Sequence, residues 1–534
     1  MARLKEECGI VAVYQMGRGK QAEQANVYPM VVRGLLELQN RGQLSAGVTT
    51  YNPTRNRILQ THKDLGTVHE VFRLHTPHKS RALMEEYAGI AAIGHNRYAT
   101  SGASDSANAQ PFERVHGRMW KLFAIAFNGN LANYDHLKSD LESHGYHVTY
   151  HSDTEVMMHY INREMRGDEP PDFAEMFATL SSIFDGAYNI AFINAAGEMV
   201  VMRDPLGIKP LCYAVQGDLL VVASESVVHH NLNIDNVKSL QPGEMIIANR
   251  DGCRVERYWP KQKSQYCFFE WIYFTNLATR LEGRSVYQAR TDVGEQLAEM
   301  ELLRENGRLG GKLGEPLGEM VVSVPETANT AASSFGYHLG LPVVNALVRN
   351  RYVGRTFIDG VNRLDSVRMK FTPLTDILEG KRIYLVDDTL VRGTTLKTVV
   401  TILKERGHAK EVHVRIGCPP VMAPCFYGID MPTVGELFAP PFLNGKDRGG
   451  KGGKLPNGKG TKARNGRGKF IDPSPEALRK MADELGADSL GYLSQERLIK
   501  AVGLPGDNLC QACLDTRYPT PAGEARYQES LAAW

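Results

Sequence analysis

Cys8 stands in the run Glu-Cys-Gly-Ile-Val-Ala-Val, with seven residues ahead of it. If residues 1–7 are removed, the thiol gains its own α-amino group as a neighbour, and a free amine accepts protons near neutral pH. One residue would then serve as nucleophile and base. The competing reading is a cysteine buried in the first strand of a sheet as a small apolar side chain. A second concentration of reactive types lies in residues 383–407, IYLVDDTLVRGTTLKTVVTILKERG, where an apolar run ends in Asp387 and Asp388, and Arg392, Gly393, Thr394 and Thr395 follow. Backbone N–H groups at a helix start, with two threonine hydroxyls, can hold a phosphate. The adjacent carboxylates sit where ligands collect at the end of a parallel strand, and they suit sugar hydroxyls, since their charge repels phosphate. A capped strand-to-helix turn is the alternative, but it needs neither paired acids nor a Gly-Thr-Thr run.

Two different scaffolds must position these groups. Between about residues 8 and 258, short apolar runs such as GIVAVY, AGVTTY, FAIAFNGN, YNIAFIN and LLVVASES alternate with turns, and helices are expected at 29–38 and 154–165. That pattern predicts an α+β domain of layered sheets and helices. From about residue 286 to 431 the order changes. A helix around 331–339 precedes VVNALV, and RIYLVDD precedes a helix at about 395–406 and then EVHVRIG, as expected of βαβ units and a parallel sheet.

A chain of 534 residues is too long for a single core. Its 43% hydrophobic and 23% charged content suits a globular enzyme or scaffold, and no apolar run is long enough to span a bilayer. The expectation is a cytoplasmic protein without a membrane partner. Eight cysteines in this length do not make a disulfide framework; buried, catalytic or metal-bound roles are expected instead. The net charge of +2 conceals a basic stretch: residues 446–469 hold nine Lys or Arg against one Asp, leaving −6 for the rest. That stretch is glycine-rich and reads as a solvated insertion. Nucleic-acid binding would call for interleaved aromatic residues, and it has none.

Along nearly its whole length the chain resembles the amidophosphoribosyltransferase family, in the branch that carries a propeptide and an iron–sulfur cluster. The matching pieces are ECGIVAV, LQNRGQLSAGV, GHNRYATSG, FNGNLAN, SDTE and RDPLGIKPL in the first half. In the second they are VDDTLVRGTT, RNRYVGRTFI (residues 349–358) and VRMKF (residues 367–371). The resemblance implies a class II glutamine amidotransferase domain with the four-layer αββα N-terminal nucleophile hydrolase fold, followed by an α/β phosphoribosyltransferase domain with a parallel sheet. The division it suggests is a propeptide at 1–7, the amidotransferase at 8–258, the transferase at 259–440, the basic insertion at 441–471, and a C-terminal segment at 472–534.

The resemblance also assigns roles. Cys8 would attack the glutamine amide, Asn128 and the Gly129 N–H would stabilise the oxyanion, Arg97 would bind the substrate carboxylate and Asp153 its ammonium. Read from sequence alone, Asp153 also suits a helix N-cap, and Asn128-Gly129 a turn. Phosphoribosyl diphosphate (PRPP) would meet Asp387, Asp388, Arg392, Gly393, Thr394, Thr395, Glu326, Thr327 and Arg355, with Mg²⁺ at Asp387 and Asp388. Cys267, Cys425, Cys510 and Cys513 would hold a [4Fe-4S] cluster; zinc is the alternative, because four thiolates suit both. Purine nucleotides as feedback inhibitors and a homotetramer are further implications.

The sequence departs from the family pattern in three places. The family's VPDSG-like diphosphate loop reads here as Val324-Pro325-Glu326-Thr327-Ala328, and alanine adopts φ > 0 less freely than glycine. Asn40 and Leu44 stand where the family more often has His and Glu, and the basic insertion is additional. Two rival readings remain: another glutamine amidotransferase sharing only the first domain, against which VDDTLVRGTT speaks, and a non-catalytic PRPP-binding regulator that contacts nucleic acid through the insertion.

Overall fold

The structure, a computed structural model, describes residues 6–99, 106–304, 318–350, 371–431, 433–443 and 472–534. Residues 1–5 of the expected propeptide, Arg355 with most of 349–358 and 367–371, and residues 444–471 of the insertion lie outside them.

Strand alternation explains the first half. Glu6–Gln15 is the central strand of a seven-stranded antiparallel sheet, flanked by Leu219–Ala223 and Ala91–Ala99. Its Val11 and Val13 pack with Val31, Val32 and Leu35 of the helix Tyr28–Glu37, while Ile10, Ala12 and Tyr14 point to the other face. There they meet Ala124, Ala126, Ala191 and Ile193 of a second, six-stranded antiparallel sheet. The far face of that sheet presents Phe123, Ile125 and Phe127 to Leu137, Val156, Tyr160 and Phe177 on three more helices. Side chains of period two thus build helix, sheet, sheet and helix in four layers. The alanines between the sheets permit a close approach, and the aromatic residues supply burial on the helix side.

The apolar runs named for the first half form strands, and the helices expected at 29–38 and 154–165 occur at Tyr28–Glu37 and Asp153–Glu164; VVNALV of the second half instead makes a single bridge from Val343 to Val321 and lends only Leu347 and Val348 to the short strand Leu347–Arg349. The strands Leu59–Leu65 and Gly252–Arg257 carry half-exposed polar residues and lack a continuous apolar signal. Ser152, not Asp153, caps the second helix: its side chain accepts from the Glu155 N–H. Asp153 is therefore left to another task, which corrects the capping role that its sequence position suggested.

The second half is built on four parallel strands in the order Glu319–Ser323, Arg382–Asp387, Glu411–Ile416 and Ser489–Tyr492. The long helix Val286–Arg304 packs on Asn329–Leu339 through Gly294, where a Cβ would meet the Ala331 carbonyl at 2.1 Å. The last strand of the sheet comes from beyond the insertion, so the C-terminal segment completes this fold. The helix Pro521–Ala532 then returns to the first domain, with the Ala522 N–H donating to Asp185 and Arg526 paired to Asp135 at 2.6 Å.

Candidate active sites and a four-cysteine cavity

Cys8, 1% exposed, lies opposite Arg97 in the antiparallel pairing of their strands, and Ser45 faces Arg97 from the other side. Alternation puts Cys8 on the same face as Ile10 and Ala12, between the two sheets. By the same count Asn128 follows Ala124 and Ala126 into that space from the opposing sheet. Ser224 links the two: its hydroxyl accepts from the Ile10 N–H at 3.0 Å and lies 3.4 Å from Asn128 Nδ2. Gly129 has φ +150°, and a Cβ there would sit 1.9 Å from the Ala187 carbonyl oxygen. Only glycine lets the strands close at this point. Arg97 is buried and donates from Nη1 to the Asn108 carbonyl, and Asp153 Oδ2 accepts from the Leu131 N–H at 2.8 Å. The structure therefore gathers Cys8, Arg97, Asn128, Gly129 and Asp153 at one end of the sheet sandwich.

The transferase candidates collect at the C-terminal ends of the parallel strands, where ligands bind in such sheets. Asp387 accepts from the Asp388 N–H, and Asp388 accepts from the hydroxyls of both Thr327 and Thr389. Burial and the neighbouring Asp388 charge hold Asp387 well above the ordinary carboxylate range, and burial also raises Asp388. Two adjacent carboxyls in this setting call for a cation or hydroxyl donors. Gly393, at φ +81°, precedes the helix Thr394–Thr401, and a Cβ on it would strike Phe438 at 2.6 Å. In the departed loop, Glu326 pairs with Arg349 at 3.3 Å, and Ala328 sits at φ −81°. Alanine is thus unstrained there, which removes the conformational concern raised by its replacement of glycine.

Between the centres lies a buried charge network that the sequence reading missed. Arg41 donates to Glu225 at 2.5 Å and to Glu270 at 2.6 Å, and Lys209 approaches Glu270 at 3.5 Å. Burial alone would raise the Glu270 pKa, but the Arg41 and Lys209 charges outweigh it and hold the carboxyl at about 2. Asn40, the departure from His, donates to Glu225 and to the Phe274 carbonyl. The only sequence signal was a glutamate inside each of two largely apolar stretches, CFFEWIYF and LLVVASES.

Four cysteines from three distant stretches of sequence meet in one place. The strand Tyr266–Cys267 pairs in parallel with Leu509–Cys510, setting Cys267 directly opposite Cys510. Met422 and Ala423 both donate to the Cys513 carbonyl, which draws in the following Cys425. Cys267, Cys425, Cys510 and Cys513 line one cavity. None is in a disulfide. Burial pushes the Cys267 thiol up to about 12 and raises Cys510 and Cys513 well above the usual thiol range. Among the described residues, no three His, Cys, Asp or Glu side chains stand close enough to hold a single metal ion.

Comparison with known proteins finds two matching domain models and full-length relatives. A glutamine amidotransferase domain model matches residues 95–230 and a phosphoribosyl transferase domain model residues 338–418. The chain is 36% identical to the amidophosphoribosyltransferase of Methanothermobacter thermautotrophicus, covering 97% of this chain and 96% of that one. It is 34% identical to the Bacillus subtilis enzyme, covering 97% and 95% respectively. Among solved structures, glutamine PRPP amidotransferase from B. subtilis complexed with ADP and GMP superposes with a TM-score of 0.75 at 32% identity, covering 96% of this chain and 98% of that one. Two catalytic halves matched in order, at this identity and over this length, place the chain in the amidophosphoribosyltransferase family.

Proposed function

We propose that the two centres carry out one reaction in sequence, the transfer of the glutamine amide nitrogen to PRPP in purine biosynthesis. The observation that carries this reading is the gathering of Cys8, Arg97, Asn128, Gly129 and Asp153 at one end of the sandwich, with the Asp387-Asp388 site in the second domain of the same chain. Arg97 and Asp153 hold the carboxylate and ammonium of glutamine. The Cys8 thiolate attacks the side-chain carbonyl, and the oxyanion is received by Asn128 Nδ2 and the Gly129 N–H. Ammonia leaves as the thioester forms, and water releases glutamate. Ammonia then adds to C1 of PRPP as the C1–O bond to diphosphate breaks, giving phosphoribosylamine. Asp387 and Asp388 orient the ribose hydroxyls, and the N-terminus of the Thr394–Thr401 helix takes the 5′-phosphate.

Asp387 and Asp388 are also the groups that would hold Mg²⁺, whose charge would neutralise the departing diphosphate. Four thiols lining one cavity suit a [4Fe-4S] cluster, with zinc the alternative because four thiolates also suit it. Feedback by purine nucleotides draws support from the B. subtilis relative's structure with ADP and GMP. A homotetramer and a cytoplasmic location complete the reading; no helix among the described residues is long and apolar enough to cross a membrane.

The test is direct: glutamine, PRPP and Mg²⁺ should yield glutamate and diphosphate in equal amounts. Protein that hydrolyses glutamine but makes no diphosphate, even with added ammonia, would refute the transferase half.

A further inference from the structure

We propose that Arg290 is a positioning residue that couples the two centres by holding residues 270–275 between them. Arg290 is 4% exposed, on the helix Val286–Arg304. One guanidinium collects three successive odd-numbered carbonyls: Nε donates to Trp271 at 3.0 Å, and Nη2 donates to Tyr273 and Thr275 at 2.8 Å each. The segment it holds is a single π-helical turn, Glu270–Phe274, a geometry frequent at functional sites.

From its other side the same segment is gripped by the amidotransferase domain. Glu270 takes Arg41 and Lys209, the Phe274 carbonyl takes Asn40, and the Asn276 N–H reaches Glu225 at 2.8 Å. Arg41 leads straight to the glutaminase centre, because its neighbour Gly42 rests on the Arg97 backbone, where a Cβ would meet the carbonyl carbon at 2.5 Å. Toward the transferase, Arg290 lines a cavity together with Asp388 and Thr327. The charges of Arg290 and Asp388 act on one another across it.

A ligand that engages Asp388 changes the field at Arg290. The guanidinium is committed to three backbone carbonyls, so its response moves the turn rather than a free side chain. The turn in turn bears on Arg41 and, through Gly42, on the strand of Arg97, a contiguous path of buried hydrogen bonds and packing contacts. Arg290 touches neither glutamine nor the bonds of PRPP that react; its effect is on their synchrony.

The inference rests on the functional reading above, and the experiment separates the two. Arg290→Lys and Arg290→Gln are made in the full-length protein. Three rates are measured: glutamine hydrolysis, ammonia-dependent diphosphate release and glutamine-dependent diphosphate release. The two partial reactions should stay within about threefold of the parent, while glutamate formed per diphosphate rises about threefold or more, further for Gln than for Lys. An unchanged ratio, or all three rates falling together, overturns the proposal. A parent inactive in either half overturns the functional reading, and this one with it. Should both variants fail to fold, Trp271 reports instead. With Trp120→Phe, Trp259→Phe and Trp534→Phe in place, its fluorescence should change when Mg²⁺ and PRPP are added; a silent Trp271 refutes the coupling path.

Discussion

Asn130 Nδ2 donates to the Phe426 carbonyl at 2.6 Å, a buried bond between residues 296 apart in sequence. Asn130 is two residues beyond Asn128 on the same strand, and Phe426 directly follows Cys425. One hydrogen bond therefore joins the strand of the oxyanion hole to the wall of the four-cysteine cavity, and the proposed cluster would sit mechanically close to the glutaminase.

Loss of that bond should be felt at the glutaminase. Asn130→Ala leaves a buried carbonyl unpaired, which costs about 1–3 kcal/mol, read as a lower urea midpoint. Glutamine hydrolysis should fall while bound iron is kept. An unchanged midpoint and rate would contradict the link.

Cys510→Ser is expected to abolish iron binding, read as the loss of iron and acid-labile sulfide from anaerobically purified protein, and to lower the thermal midpoint. Because buried thiols must lose protons to bind metal, reconstitution should be more complete at higher pH. Protein that takes up one zinc per chain and no sulfide would reverse the metal assignment.

At the oxyanion site, Asn128→Ala should reduce glutamine hydrolysis by about 10²–10³-fold, with ammonia-dependent diphosphate release retained. Gly129→Ala should be worse, since its Cβ would collide with the Ala187 carbonyl and open the strand pair. Steady-state assays with each nitrogen source separate the two effects.

Asp387→Asn is expected to stabilise the ligand-free protein while abolishing PRPP binding. The folded-state pKa of Asp387 is raised, so its favourable contribution is complete below the unfolded value of about 4 and is lost as pH rises through the folded value. The gain in thermal midpoint from Asp387→Asn should therefore grow from about pH 5 to about pH 8. Calorimetry at the two pH values checks the sign, and titration with PRPP and Mg²⁺ checks the loss of binding.

Processing at Cys8 is tested by intact mass. The active protein should begin at Cys8, and a variant that retains residues 1–7 should lose glutamine hydrolysis but keep ammonia-dependent synthesis, since the α-amino group is the proton acceptor. Glutaminase activity in a protein of full mass would overturn the N-terminal mechanism.

Much of this was legible in the sequence because the signals were local. GIVAVY and FAIAFNGN are short apolar runs bounded by turns, and Asp387-Asp388 with Gly393-Thr394-Thr395 lie at one strand end and helix start. What escaped was non-local or polar. Ser224 matters because the strand Leu219–Ala223 that it follows lies beside that of Ile10, a relation that no spacing along the chain reveals. Arg41, Glu225, Glu270 and Arg290 read as ordinary charges until folding buries them together. Of the two roles that the sequence allowed Asp153, the cap fell instead to the preceding Ser152, because serine and aspartate both cap helices well.

The strand Ser489–Tyr492 reaches its place beside Glu411–Ile416 only after the chain has passed through residues 444–471. The basic insertion is thus a covalent detour between two neighbours of one sheet, whose pairing joins residues 413–416 directly to 489–492. Trypsin, offered nine Lys and Arg between 446 and 469, should yield two pieces on a denaturing gel that still travel as one particle. The shorter piece would carry Cys510 and Cys513, so the four-cysteine cavity would be assembled from two separate chains.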